Sequence, residues 1–380
     1  MTTTLRVIID QILSPVPGGI GRYAEELTRA LIATTPANCD VAGVVSASPE
    51  AAYELVEQKL PGLSHLYKSA LSRRELAAAW QHGFTVLPGT GMVHATSLLA
   101  PLSKHDRINA IGQQIVVTIH DTVPWTHPET LTSHGVTWHK AMAKRAFKYA
   151  DAVVTPTHAV ADELASIYDF GDRIRVIGAA VASSLTLPED ADSRAAALGL
   201  PARYILSVGT LEPRKGLEPL IASLAVSGAA ELPLLVVGAP GWGGIDLEQI
   251  AAANGVPAER VRALGQLSDE DLAVVLDRAT VFVMPSIAEG FGIPVLEAFH
   301  FSTPVVHSDA PALVEVAGGA GITVERDDPA GYAERLAAGI ASVVNDPALA
   351  AALSTKGRDR AGVFSWRSSA EKVWQLHADL

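Results

Sequence analysis

Two glutamates separated by seven residues, Glu289 and Glu297, lie in the stretch MPSIAEGFGIPVLEAFHF at residues 284–301. The stretch begins as the end of an apolar strand pattern (TVFVMP) and passes through a glycine-rich turn. It becomes helical at Pro294, and proline suits a first helical position because its missing N–H would be unpaired there. Strand, turn and helix in that order present the backbone N–H groups of Phe291, Gly292 and Ile293 at the positive end of a helix dipole. A phosphate or another anion can bind there, and the glycines let it approach the backbone. Two carboxylates framing such a place can accept hydrogen bonds from hydroxyls of a ligand bound there. The spacing by itself is weak, because glutamate is frequent in this chain; the position around an anion-binding turn makes the pair a candidate site.

An anionic ligand needs cations, and the charge distribution makes the search for them specific. The net charge is −12; residues 1–185 carry 15 Lys+Arg and 16 Asp+Glu, which leaves 14 and 25 for residues 186–380. So acidic a second half disfavours nucleic acid as a partner, and local cations must overcome its field to hold an anion. Arg214 and Lys215 answer that need, in TLEPRKG directly after the strand pattern YILSVG. Cations fixed beside an anionic leaving group lower a barrier, because charge on the leaving group grows as its bond breaks. His120 ends the most strand-like run of the first half, QIVVTIHD, and open α/β sheets bind ligands beyond the carboxyl ends of their strands. Gly19, Ile20 and Gly21 belong to the loop QILSPVPGGIGR after the strand pattern LRVIID, where their backbone can lie close to a ligand. Gly19, Gly21 and Ala24 do not form a dinucleotide fingerprint. Eight residues separate Asp10 from Gly19, and the next strand pattern, VAGVV, ends in Ser46 rather than in an acid.

Positioning these residues takes an alternation of strands and helices. A chain of 380 residues, 48% apolar and 18% charged, is long enough for two globular domains, each with its own core. Strand–helix alternation runs through both halves, with a linker by composition at residues 178–194, GAAVASSLTLPEDADSR. Residues 46–88 read as helical, and residues 364–380 form a closing helix. Cys39 is the single cysteine, so no disulfide framework forms within one chain. The opening residues, MTTTLRVIID, have no basic leader, and no run approaches the ~20 apolar residues that span a bilayer; a cytoplasmic protein is expected. His120, His127, His134 and His139 lack zinc-ligand spacing, and the Asp190–Asp192 pair lies in the linker, so no metal is expected. Lys140, Lys144 and Lys148 share one helix face, which implies at most peripheral membrane contact.

The segment EGFGIPVLE resembles the Glu–seven residues–Glu signature of the retaining glycosyltransferases of family four. That resemblance implies the α/β GT-B fold: two Rossmann-like doubly wound domains facing across a cleft, with a C-terminal helix crossing back to the first. Residues 1–180 plus 364–380 would bind the acceptor, and residues 190–363 the nucleotide-sugar donor. GTLEPRKGL resembles the family's diphosphate clamp, particularly the form found in mannosyltransferases of bacterial polysaccharide assembly. Thr210 stands where some relatives have an additional arginine, so the clamp here would rest on Arg214. TIHDTVPWTHPE resembles the segment whose histidine, here His120, reaches the donor sugar. The paired glycines resemble the family's N-terminal loop, with Gly19, Ile20 and Gly21 facing the ligands.

The resemblance further implies Glu289 on the sugar, Glu297 on the ribose, retention of configuration, and no metal or other cofactor. The expected donor is GDP-mannose and the expected acceptor a saccharide or glycolipid. A UDP- or dTDP-sugar donor, a GT-B sugar-nucleotide epimerase and a non-catalytic sugar-nucleotide-binding module are the competing readings.

Overall fold

The computed structural model describes residues 2–14, 18–84, 91–106 and 113–380. The chain divides into two units, Met1–Ala179 with Ser365–Leu380, and Ala180–Phe364. In the first unit seven parallel strands form one sheet in the order β3-β2-β1-β4-β5-β6-β7. They are β1 (Thr3–Ile8), β2 (Cys39–Ala47), β3 (His65–Ser72), β4 (Met92–Ala95), β5 (Gln114–Thr118), β6 (Ala152–Thr155) and β7 (Ile174–Val176). The second unit has six, β8 (Ile205–Val208), β9 (Leu234–Val237), β10 (Val261–Gly265), β11 (Val281–Met284), β12 (Val305–Ser308) and β13 (Ile322–Val324), in the order β10-β9-β8-β11-β12-β13. Both sheets are doubly wound. Strand order reverses beside β1 in one and beside β8 in the other, and each reversal opens a crevice at the carboxyl ends of the strands.

The apolar runs explain the strands. LLVV of β9 and VFVM of β11 are buried throughout, as expected when helices cover both faces of a parallel sheet. Ile205, Val236, Val281 and Val283 pack with Leu220, Leu336 and Ile340 in the second unit's core. Each such side chain contributes about 1.5–3 kcal/mol when fully removed from water. Two strands depart from the sequence reading. The 46–88 region, read as helical, contains β3 at the sheet edge, which alternates half-buried and exposed positions from Tyr67 to Ser72. The short β13 is also absent from that reading. Among the described residues no single helix is long and apolar enough to cross a membrane.

Candidate active site

In the second unit the site is built where strand order reverses. β8 pairs with β11, with Ile205 opposite Val281, so the segments following these two strands emerge side by side. The turn Pro213–Lys215 after β8 carries both cations, and residues 285–292 after β11 carry Glu289. Backbone contact locks the two segments together. Ile287 N donates to Arg214 O at 2.7 Å, and a Cβ on Gly216 would lie 2.2 Å from Pro285 O. Gly216 also has φ +65°, so only glycine fits there. The Glu289 segment is held from its other side as well. Tyr332 Oη donates to Pro285 O at 3.1 Å, Ser308 Oγ to Ser286 O at 2.6 Å, and the Arg326 guanidinium to Ile287 O.

Glu289 meets both cations. Lys215 Nζ lies 2.6 Å from Oε1, and Arg214 Nη1 lies 3.2 Å from Oε2 and 3.4 Å from Ala288 O. Burial alone would push the Glu289 carboxyl up, but the Lys215 and Arg214 charges outweigh it and hold the group at about 2. Lys215 is shifted down, first by burial and then by Arg214, against the pull of Glu289. Three of the expected residues are thus one ion-paired group, and the carboxylate is ionised at neutral pH.

The helix Ile293–His300 starts one residue earlier than Pro294 suggests, with Gly292 as its N-cap at φ +92°. A Cβ at 292 would lie 2.4 Å from Leu313 Cδ2. The positive φ favours glycine there, and any larger residue would also have to displace the Leu313 side-chain end. Phe291 is buried edge-on against Phe364, 5.6 Å between centroids. Glu297, on the inner side of this helix, is only 3% exposed, which separates it in environment from the turn residue Glu289.

The other expected residues lie in the first unit. His120 follows β5, and its Nε2 lies 2.7 Å from Thr96 O. A carbonyl only accepts, so Nε2 carries the proton. Burial pushes the ring's pKa down, against the Thr96 carbonyl and Asp121, which leaves a neutral imidazole with a lone pair on Nδ1. Tyr23 packs edge-on to His120 at 4.8 Å, and Trp366 packs on Tyr23 at 5.6 Å. Gly19, Ile20 and Gly21, read as loop, instead form the start of the helix Gly18–Ala33. Residues 15–17 of that loop reading lie outside the described residues. The sequence reading missed Glu212, Ser308, Arg326 and Tyr332. Glu212 stood beside the cations as a visible signal; the other three become visible only when β12 and the helix Tyr332–Asn345 are seen to pack beside β11.

A model described as Glycosyltransferase Family 4 matches residues 17–184, and one described as Glycosyl transferases group 1 matches residues 189–360. The chain is 29% identical to O-antigen chain mannosyltransferase B of Escherichia coli over 269 residues, 67% of this chain and 68% of that one. It is 34% identical to D-inositol 3-phosphate glycosyltransferase of Streptomyces avermitilis over 245 residues, 60% of this chain and about half (52%) of that one. Among solved structures, sucrose-phosphate synthase from Thermosynechococcus elongatus superposes with a TM-score of 0.75 at 21% identity, covering 100% of this chain and 99% of that one. HepE from Anabaena, solved in complex with UDP and glucose, gives 0.72 at 19%, with both chains covered completely. The two-unit α/β architecture is the GT-B fold. With one model on each unit and the cation–carboxylate group at the switch point of the second, the chain belongs to the family-four glycosyltransferases.

Proposed function

We propose that this glycosyltransferase is a retaining enzyme that moves mannose from GDP-mannose to a hydroxyl of a saccharide or glycolipid acceptor. The observation that carries the reading is the group formed by Lys215, Arg214 and Glu289 at the carboxyl ends of β8 and β11. In this reading Arg214 and Lys215 hold the donor diphosphate and stabilise the charge that develops as the bond from the anomeric carbon to the phosphate oxygen breaks. Glu289 accepts hydrogen bonds from sugar hydroxyls, Glu297 from the ribose, and His120 reaches the sugar through its unprotonated Nδ1. The backbone of Gly19, Ile20 and Gly21, and of Phe291, Gly292 and Ile293, approaches the ligands at two helix starts. The acceptor hydroxyl attacks on the leaving-group face, and a departing phosphate oxygen takes its proton. No metal or other cofactor takes part. Mannose as the sugar is supported by the mannosyltransferase relative and by the GTLEPRKGL segment.

A UDP-hexose donor is the second reading, favoured by the neighbour solved with UDP and glucose. Melting curves with GDP, UDP and dTDP separate the two, because a ligand raises the melting temperature according to its excess over its dissociation constant. GDP is expected to give the largest shift. A larger shift with UDP overturns the GDP-mannose assignment in favour of the second reading.

A further inference from the structure

Glu212 immediately precedes the turn that carries both cations. Its carbonyl accepts from Lys215 N at 3.0 Å. Its Oε2 lies 3.1 Å from Arg214 Nε. Arg214 reaches Glu289 and Ala288 O through Nη1. A guanidinium is planar, so engaging Nε on one side and Nη1 on another sets both its plane and its direction. The segment after β9 in turn sets Glu212. Leu211 N donates to Ala239 O at 3.0 Å, and a Cβ on Gly241 would lie 2.7 Å from Glu212 Cγ and 2.8 Å from Leu211 O. Gly241 thereby leaves Glu212 the space in which its carboxylate faces Arg214.

Charge makes this placement informative. A carboxylate beside a cation pair repels a diphosphate bound to that pair, so it weakens ground-state binding of the anion. An oriented guanidinium gains most where leaving-group charge is greatest, in the transition state. We infer that Glu212 is a positioning residue that aims Arg214 at the leaving diphosphate, with Gly241 acting through it, lowering donor affinity while raising turnover. This inference rests on the donor reading above.

The test uses the full chain and the sugar nucleotide whose diphosphate gives the largest melting shift, with water as acceptor and release of the diphosphate as readout. Glu212→Gln is expected to lower kcat about ten-fold, with donor KM unchanged or lower and the diphosphate melting shift equal or larger. A merely structural glutamate would instead lower the melting temperature and worsen both kinetic parameters together. A kcat within two-fold of the unmodified protein, or a KM that rises as kcat falls, overturns the inference. Gly241→Ala is expected to cost less in a Glu212→Ala background than alone; independent effects overturn its action through Glu212. Absence of any shift with GDP, UDP and dTDP in the unmodified protein sinks the donor reading itself, and this inference with it.

Discussion

Glu289 and Glu297 have the same chemistry and different surroundings. Glu289 sits in a turn, ionised and paired to Lys215 and Arg214, whereas Glu297 is enclosed on the helix that follows. A group that contacts the sugar as it flattens towards an oxocarbenium-like state acts mainly on turnover, and a group that contacts the ribose throughout acts mainly on donor affinity. Glu289→Gln is therefore expected to lose mainly kcat and Glu297→Gln to raise mainly donor KM, in steady-state kinetics with melting curves as a control. A reversed pattern would falsify this division. Lys215→Ala and Arg214→Ala remove charge whose effect grows in the transition state. Each should lower turnover by about 2–4 kcal/mol in barrier and weaken diphosphate binding less. Turnover within a few-fold of the unmodified protein, with folding intact, rules out a clamp.

At the scale of elements, the helix Trp366–Asp379 joins the first unit through buried groups. It packs on the helix Gly18–Ala33, where Trp374 Nε1 donates to Leu31 O at 3.3 Å, and Ser369 Oγ donates to Gly178 O at 2.8 Å. His377 Nδ1 lies 2.9 Å from Gln114 Oε1, and its ring stands 5.7 Å from that of His94 on β4. His94 is fully buried, and neither ring nitrogen has a hydrogen-bond partner among the described residues. Burial pushes its pKa from 6.5 down to about 4; burial and then the nearness of His94 push that of His377 well down. The unfolded chain takes up these protons first. Stability is therefore full above about pH 6.5 and falls as pH drops towards 4, by about 3 kcal/mol for His94 alone. His94→Leu leaves no ring to protonate and orphans no partner, so its melting temperature should fall less steeply over that range. Parallel slopes for the two proteins would mean that His94 does not carry the effect.

At the scale of the whole molecule, one unit is continuous in sequence and the other is not. Ala180–Phe364 has its own sheet and core, whereas Met1–Ala179 shares its core with Ser365–Leu380, including Trp366, Val373, Trp374 and Leu376. Residues 180–364 expressed alone should melt cooperatively and be stabilised by the donor diphosphate. Residues 1–179 alone leave the partner face of the helix Gly18–Ala33 uncovered and should fail to melt cooperatively until residues 365–380 are restored. Calorimetry on the three chains checks this. A cooperative transition in 1–179 alone would show that the closing helix is dispensable to the first unit's core.

Most strands could be read from sequence, because a parallel strand buried on both faces has an unbroken apolar run: IVV within β5, LLVV and VFVM. β3 escaped because its residues alternate, and β13 because ITV runs straight into the charged ERDD, whereas the equally short β7 continues into the apolar, buried Ile177. Glu289, Arg214, Lys215 and His120 could be picked out because each stands in a local strand–turn context, and residue type with local context is what a sequence states directly. Partnership is not local. Lys215 and Glu289 are 74 residues apart, and they meet because strand order reverses at β8 and brings β11 beside it. Which carboxylate answers which cation, and that Glu297 is enclosed while Glu289 is paired, follows from that ordering. Only tertiary structure decides it, because segments far apart in the chain become neighbours through the pairing of their strands.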